Sequence, residues 1–218
     1  MIITVAKPDE ELKRVLEPYG NLVVIGCGTC ATICRTGGED QVKEMVKKLI
    51  GWGKNVLAAM VIESPCDIRI DRRDLKRISD EVDRADALLV MSCGVGVQAV
   101  GEASGKRTLA ALDTVFLGEV EHIGRFYERC RECGVCILNE TEGLCPMVLC
   151  AKGLLNGPCE DMVDGKCGAV EGDVDCVWVK IWERMKEEGR EDDFLKVNPP
   201  FDSCLLYTSD AADDGESV

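Results

Sequence analysis

Short apolar runs alternate with amphipathic stretches over residues 1–120 of the chain. Four of the runs have strand character and cover residues 22–25, 56–62, 87–91 and 114–117. The first three are so apolar that they suit strands buried on both faces, as the strands of parallel sheets are. Between the runs, apolar residues recur at spacings of three and four, which predicts helices, at Val42, Met45, Val46 and Leu49, and at Leu75, Ile78 and Val82. The pattern predicts an α/β domain with a doubly wound, mostly parallel sheet.

Residues 121–188 have a different pattern, because their apolar residues are sparse and interrupted by glycines. Such a segment buries too little apolar surface to offset the entropy of an ordered chain. Metal binding by its many cysteines would supply the missing stabilisation. At its end, an apolar stripe predicts a terminal helix that packs on its own domain, with Trp178, Ile181, Trp182 and Met185 on one face. We therefore expect a small cysteine-rich, metal-stapled domain over 121–188, followed by a tail over 189–203.

Residues 204–218 are interpreted as an artefact, because they resemble the translation of a sequencing-library adapter followed by a short index. An ordinary disordered acidic tail is the alternative. Leaving these residues out removes four acidic residues and no basic one, so the formal net charge changes from −14 to −10. It also removes Cys204 from the candidate ligands.

Composition and charge limit the classes of function that the chain could have. The acidic balance is a poor match to nucleic acid or to an anionic membrane surface. No apolar stretch approaches the roughly 20 residues of a membrane span, and the N-terminus has no signal-peptide pattern. The chain has 14 cysteines beside a single histidine. We therefore expect a cytoplasmic protein whose thiolates bind metal rather than form disulfides.

Five cysteines follow directly on the first three predicted strands. Cys27, Cys30 and Cys34 come after the first strand, Cys66 after the second and Cys93 after the third. The carboxyl ends of parallel strands meet at one edge of a sheet, so these thiols are expected to converge. A 4Fe–4S cluster needs four thiolates, three of which the Cys-x2-Cys-x3-Cys loop can supply. We choose Cys93 as the fourth ligand and hold Cys66 as the second choice, or as a ligand in another redox state. Zinc would accept the same set, and burial as small apolar residues is the structural alternative.

The stretch from Gly94 to Ala99 follows a strand, opens a predicted helix and resembles a dinucleotide fingerprint. We prefer the interpretation that its small residues let backbone N–H groups approach the cluster sulfurs. Close packing of the helix on the sheet is the simpler explanation. His122, the single imidazole, is interpreted as an exposed linker residue rather than a catalyst or ligand.

Eight cysteines in the second region suffice for two four-ligand sites, and they are Cys130, Cys133, Cys136, Cys145, Cys150, Cys159, Cys167 and Cys176. The first three, with the later Cys145-Pro146, are close to the bacterial ferredoxin run, although the gap before Cys145 is longer. The partner cysteines of Cys145 therefore stay open. The last four have wide spacings, and zinc is a rival to iron–sulfur at one site.

Three stretches carry a resemblance to a known family: 93–98, 111–118, and 145–159 with its Asn156-Gly157-Pro158-Cys159 turn. The chain resembles the small iron–sulfur subunit of two-subunit methylenetetrahydrofolate reductase, also described as a methylenetetrahydrofolate reductase C-terminal domain. The resemblance covers about residues 1–200. It implies metal sites at Cys27, Cys30, Cys34 and Cys93 and at the eight cysteines from Cys130 to Cys176. It also implies a partner, a larger flavin-bearing barrel subunit that binds the folate.

The resulting expectation is a non-catalytic subunit of an oxidoreductase complex in one-carbon metabolism. It would carry two to three 4Fe–4S sites, one of them open to zinc, and pass electrons from a donor protein to the flavin of its partner. A zinc-stapled scaffold that only docks the catalytic partner is the main alternative. A self-sufficient enzyme that binds nucleotide at residues 94–99 is a third hypothesis.

Overall fold

The computed structural model describes residues 1–201, so the stretch interpreted as an artefact lies outside the described residues. The chain divides into two compact units, one over Met1–Tyr127 and one that begins at Glu128. No helix within residues 1–201 is long and apolar enough to cross a membrane.

The first unit alternates strands and helices. In chain order its elements are β1 (Ile2–Ala6), α1 (Asp9–Leu16), β2 (Asn21–Cys27), α2 (Cys30–Ile33), α3 (Glu39–Gly51), β3 (Asn55–Ile62), α4 (Ile68–Leu75), α5 (Ser79–Arg84), β4 (Ala87–Met91), α6 (Gly94–Ser104), β5 (Thr108–Ala110), β6 (Leu112–His122) and β7 (Arg125–Cys130), the last of which leads into the second unit. A single 3₁₀ turn at Lys76–Ile78 joins α4 to α5.

Four strands form the central sheet, in the order β3-β2-β4-β5, and all of its pairings are parallel. The parallel sheet predicted from the apolar runs is therefore confirmed, with the first three runs as β2, β3 and β4. The fourth run also forms a strand, but this strand does not belong to the parallel sheet. Residues 114–117 lie in β6, which pairs antiparallel with β1, and the fourth parallel strand is the short β5.

Helices cover both faces of this sheet. On one face α1 and α3 bury Leu12, Leu16, Val42, Met45 and Leu49. On the other face α4, α5 and α6 bury Leu75, Val82 and Val100. The middle strands β2 and β4 supply side chains to both clusters, which is why their sequences are apolar without alternation.

A second sheet has the order β1-β6-β7. Its β1–β6 pairing is antiparallel and shifts register between Ile3 and Thr4. Many β6 side chains are exposed, since an antiparallel sheet need not be covered on both faces.

The second unit contains α7 (Pro146–Leu149), β8 (Met162–Val163), β9 (Lys166–Cys167), α8 (Val177–Glu187) and α9 (Glu191–Phe194). Its small core joins Cys176, Val177, Trp178, Ile181 and Met185. The terminal helix predicted from the apolar stripe is therefore α8, and it packs on its own unit. The helix α9 lies in the stretch expected to be a tail, and Phe194 meets the rings of Trp178 and Trp182 edge-on, with centroids 6.1 and 5.2 Å away.

Candidate metal centres

The five cysteines of the first unit lie at or just beyond the carboxyl ends of β2, β3 and β4. Cys27 is the last residue of β2 and is buried. Cys30 opens α2 and Cys34 follows it, and both are partly buried. Cys66 is exposed in the loop after β3, and Cys93 directly precedes α6. The three strands end level with one another, because Cys27 pairs with Ile62 of β3 and Gly26 pairs with Met91 of β4.

The loops that carry these cysteines touch one another. The amide of Gly28 donates to the carbonyl of Ile62 at 2.8 Å, and a Cβ on Gly28 would lie 3.1 Å from the Cα of Glu63. A Cβ on Gly96 would lie 3.3 Å from the ring of Pro65, the residue before Cys66. The loops after β2, β3 and β4 therefore pack together without space for larger side chains at these two glycines.

Two of the cysteines also lie beside the β1–β6 pair. The Cys34 thiol donates to the carbonyl of Ile2 of β1 at 3.8 Å. The amide of Gly94, next to Cys93, donates to the hydroxyl of Thr114 of β6 at 2.9 Å. Since β1 and β6 are paired neighbours, the segments that contain Cys34 and Cys93 both contact the same strand pair.

Hydroxyl groups contact two of the sulfurs. Thr29 Oγ1 lies 3.4 Å from Cys27 Sγ, and Ser64 Oγ lies 3.3 Å from Cys66 Sγ. A hydroxyl hydrogen bond to a thiolate stabilises its negative charge. The Gly94 amide, which the sequence suggested would approach a cluster sulfur, is bonded to Thr114 instead. Gly96 serves the close packing of α6 on the β3 loop.

In the second unit, four cysteines line one small cavity: Cys150, Cys159, Cys167 and Cys176. Its volume is about 20 Å³, and Leu154, Met162 and Trp178 form part of its wall. A cavity of this size holds about one water-sized particle. The structure thus brings together the four widely spaced cysteines, whose grouping the spacing had left open.

Hydrogen bonds and ion pairs support the walls of this cavity. The amide of Cys167 donates to Val174 and the amide of Cys176 donates to Gly165, at 2.8 and 2.9 Å. Asp175 receives Lys166 at 2.6 Å and Lys180 at 2.7 Å. Hydrogen bonds from these two ammonium groups lower the pKa of Asp175 to about 2. Lys152 pairs with Asp161 on the opposite arm of the cavity.

The ferredoxin-like run contains the other four cysteines of this unit: Cys130, Cys133, Cys136 and Cys145. The run bends tightly, since Glu132 and Gly134 have positive φ angles of 52° and 80°. The Glu132 amide donates to Cys130 Sγ at 3.3 Å. Cys145 caps α7 and precedes its first residue, Pro146.

All thirteen cysteines within residues 1–201 are free thiols. In the same residues no three His, Cys, Asp or Glu side chains lie close enough together to hold a metal ion. The topology therefore brings the cysteine-bearing loops together without closing the sulfurs into a ligand shell. The donor set itself, made of soft thiols on adjoining loops, fits zinc or iron–sulfur.

Comparison with known protein families finds a match for the C-terminal part of the chain. Residues 109–203 match the family described as methylene-tetrahydrofolate reductase C terminal. This segment is therefore similar to a methylenetetrahydrofolate reductase C-terminal domain. The match contains all eight cysteines from Cys130 to Cys176, and the five cysteines of the parallel sheet lie before it. No curated protein and no solved structure matches the chain.

The match confirms the family resemblance for residues 109–203 and supports its folate and reductase context. His122, which lies within the matched segment, is exposed at the end of β6, where its Nδ1 lies 3.1 Å from the carbonyl of Ile123.

One buried polar residue was not predicted from the sequence. Asp71 on α4 is fully buried, and neither of its carboxylate oxygens has a hydrogen-bond partner. Burial, together with the neighbouring charges of Asp67 and Asp74, raises its pKa to about 7. The signal was in the sequence, because Asp71 continues the stripe of Leu75, Ile78 and Val82 at a position where an apolar residue belongs.

Proposed function

We propose that this chain is an iron–sulfur electron-transfer subunit that delivers electrons to a flavin-bearing methylenetetrahydrofolate reductase subunit. The match to the C-terminal family supports the reductase context. The observation that carries the electron-transfer role is the convergence of cysteine-bearing loops at one edge of the parallel sheet. An external donor protein would supply the electrons, and reduction of the folate would take place on the partner.

At the sheet edge, Cys27, Cys30, Cys34 and Cys93 would hold a 4Fe–4S cluster, which supplies one-electron transfer when bound. Cys66 remains the second choice for a ligand, since its loop packs against Gly96. Cys27 is the most buried cysteine of the site, and the Thr29 hydroxyl, 3.4 Å from its sulfur, would donate to the thiolate. Burial and hydrogen bonds of this kind set the reduction potential of a cluster.

In the second unit, we assign the ferredoxin-like set, Cys130, Cys133, Cys136 and Cys145, to a second iron–sulfur cluster. The set that lines the small cavity, Cys150, Cys159, Cys167 and Cys176, would hold a single zinc ion. The cavity volume favours one ion over a cluster of eight atoms. Four thiolates are a common ligand set for structural zinc.

The small cavity is also compatible with the scaffold hypothesis, because a zinc-stapled domain can dock a partner without any redox role. Anaerobic purification followed by iron, zinc and acid-labile sulfide analysis separates the two functions. We expect iron and sulfide in about equal amounts, together with zinc, and bleaching of the visible absorption by dithionite. Zinc without sulfide would contradict the electron-transfer function and favour the scaffold.

A second measurement tests the partner. The flavin-bearing subunit from the same source should co-purify with this chain, and its flavin should be reduced only when the chain is present with an electron donor. Equal flavin reduction without the chain would contradict the proposal.

A further inference from the structure

Ion pairs join the cysteines of the small cavity two by two. Lys152 lies two residues after Cys150 and pairs with Asp161, which lies two residues after Cys159. In the same way, Lys166 directly precedes Cys167 and pairs at 2.6 Å with Asp175, which directly precedes Cys176. Each pair therefore bridges two arms that end in a candidate ligand.

The second pair is part of a larger group. Lys166 also lies 3.0 Å from Asp173, and Lys180 of α8 approaches the other oxygen of Asp175 at 2.7 Å. Asp175 thereby fastens the β9 arm to the first turns of α8, the helix that begins directly after Cys176.

These ion pairs contribute little to stability by themselves. The side chains are 38% to 49% exposed in three pairs: Lys152–Asp161, Lys166–Asp175 and Lys180–Asp175. Exposed pairs are worth about 0–1 kcal/mol. Their position is more informative than their strength, because they lie beside all four cysteines of one cavity.

The arms they join have little else to hold them. The strands β8 and β9 contain two residues each, and the core of this unit is small. Free arms lose conformational entropy when a metal gathers them, and arms already held near their bound positions lose less.

We propose that Lys152–Asp161 and Lys166–Asp175 are positioning pairs that hold Cys150 near Cys159 and Cys167 near Cys176, so that one metal ion can join all four. The inference rests on the proposed function insofar as that function assigns a metal to this cavity. It concerns residues that neither the family match nor the spacing of the cysteines identifies.

Metal release from the purified full-length protein tests the inference. The protein is challenged with excess EDTA, and retained zinc and iron are measured over time. Cys150→Ser first identifies the fraction of metal that this cavity holds. Lys152→Gln and Lys166→Gln should each release that fraction about 3- to 5-fold faster, in line with the small contribution of an exposed pair.

Two further variants separate an ion pair from a general structural effect. The exchange of Lys152→Asp with Asp161→Lys restores the pair in reverse and should return the release rate to within about twofold of the original. Lys43→Gln is the matched control, since Lys43 forms exposed ion pairs with Glu39 and Asp40 on α3, and it should change nothing. At high salt the original protein should release the metal nearly as fast as Lys166→Gln, because salt screens exposed pairs.

The outcomes distinguish this inference from the function on which it rests. Unchanged release in Lys152→Gln and Lys166→Gln, or no recovery in the exchanged pair, would overturn the positioning role and leave the metal site intact. If Cys150→Ser loses no metal, the cavity holds none, and both the assigned site and its positioning pairs are wrong.

Discussion

The two units place cysteines on very different supports. In the first unit the cysteines follow strands whose apolar side chains are fully buried, among them Leu22, Val24 and Leu89. In the second unit they lie in loops around two-residue strands and a small core centred on Trp178 and Ile181. The first unit is therefore a fold onto which a metal site can be placed. We expect the second to depend on metal binding for its stability.

Metal removal should give the largest difference between the units. Chelation under reducing conditions is expected to unfold the region after residue 128 and leave the first unit folded. Structural metal sites of this kind contribute about 10–16 kcal/mol to folding, far more than the small core can replace. Hydrogen exchange measured by mass spectrometry would show protection lost in one unit and kept in the other. Equal loss in both units, or in neither, would contradict the comparison.

Two buried cysteines allow a matched test of the same difference. Cys27 is 5% exposed in the first unit and Cys176 is 8% exposed in the second. Cys27→Ser should remove the sheet-edge metal and lower the stability of the first unit by about 1–3 kcal/mol, the cost of a buried hydroxyl. Cys176→Ser should abolish the cooperative thermal transition of the second unit. Calorimetry of both variants checks this, and a folded second unit in Cys176→Ser would argue for a core that stands without metal.

The same contrast explains what the sequence could predict. The strands β2, β3 and β4 and the helices α3 and α8 follow from strong apolar runs or stripes. The stripe of Leu75, Ile78 and Val82 does not form one helix, because it spans the end of α4, the 3₁₀ turn and α5. The antiparallel sheet was not predicted because most β6 side chains, including two of the run at 114–117, are exposed, so the run does not indicate which sheet it joins. The short β5, with three residues, is too brief to form a pattern.

For the candidate sites, the topology of a parallel sheet was sufficient to place Cys27, Cys66 and Cys93 at one edge. The grouping of Cys150 with Cys176 could not be predicted, since it depends on how loops fold around two-residue strands. Spacing in such loops has no periodicity from which a common cavity could be inferred.

Acidic residues also differ between the units, and this predicts opposite responses to pH. Asp71 of the first unit has its pKa raised to about 7 by burial, whereas Asp175 of the second has its pKa lowered to about 2 by Lys166 and Lys180. A raised carboxyl pKa means that the native state keeps a proton which the unfolded state releases. The stability of the first unit should therefore fall as the pH rises from about 4 to about 7. The contribution of Asp175 is present above pH 4 and is lost as the pH falls towards 2.

Asp71→Asn tests the first half of this contrast. The amide cannot ionise, so the variant should be more stable than the original at pH 8, by on the order of 1–3 kcal/mol. The pH dependence between 4 and 7 should largely disappear. Urea unfolding of the first unit at several pH values measures both effects. Asp175→Asn, which changes an exposed side chain, should leave the stability of the first unit unchanged at pH 8. An unaltered pH profile in Asp71→Asn would show that the carboxyl finds a partner in solution.

The smallest effect is expected at the hydroxyl that contacts the buried sulfur of the sheet-edge site. Thr29→Val keeps the shape of the side chain and removes the hydroxyl that lies 3.4 Å from Cys27 Sγ. A donated hydrogen bond stabilises the more negative, reduced state of a cluster, so its loss should make the midpoint potential more negative. A differential hydrogen bond of about 0.5–1 kcal/mol corresponds to about 20–40 mV for one electron. Ser64→Ala is the matched change at Cys66, and redox titration of both variants would show which sulfur belongs to the cluster. A shift in both variants would move the fourth ligand from Cys93 towards Cys66, because only a coordinating sulfur passes the loss of a hydrogen bond on to the potential.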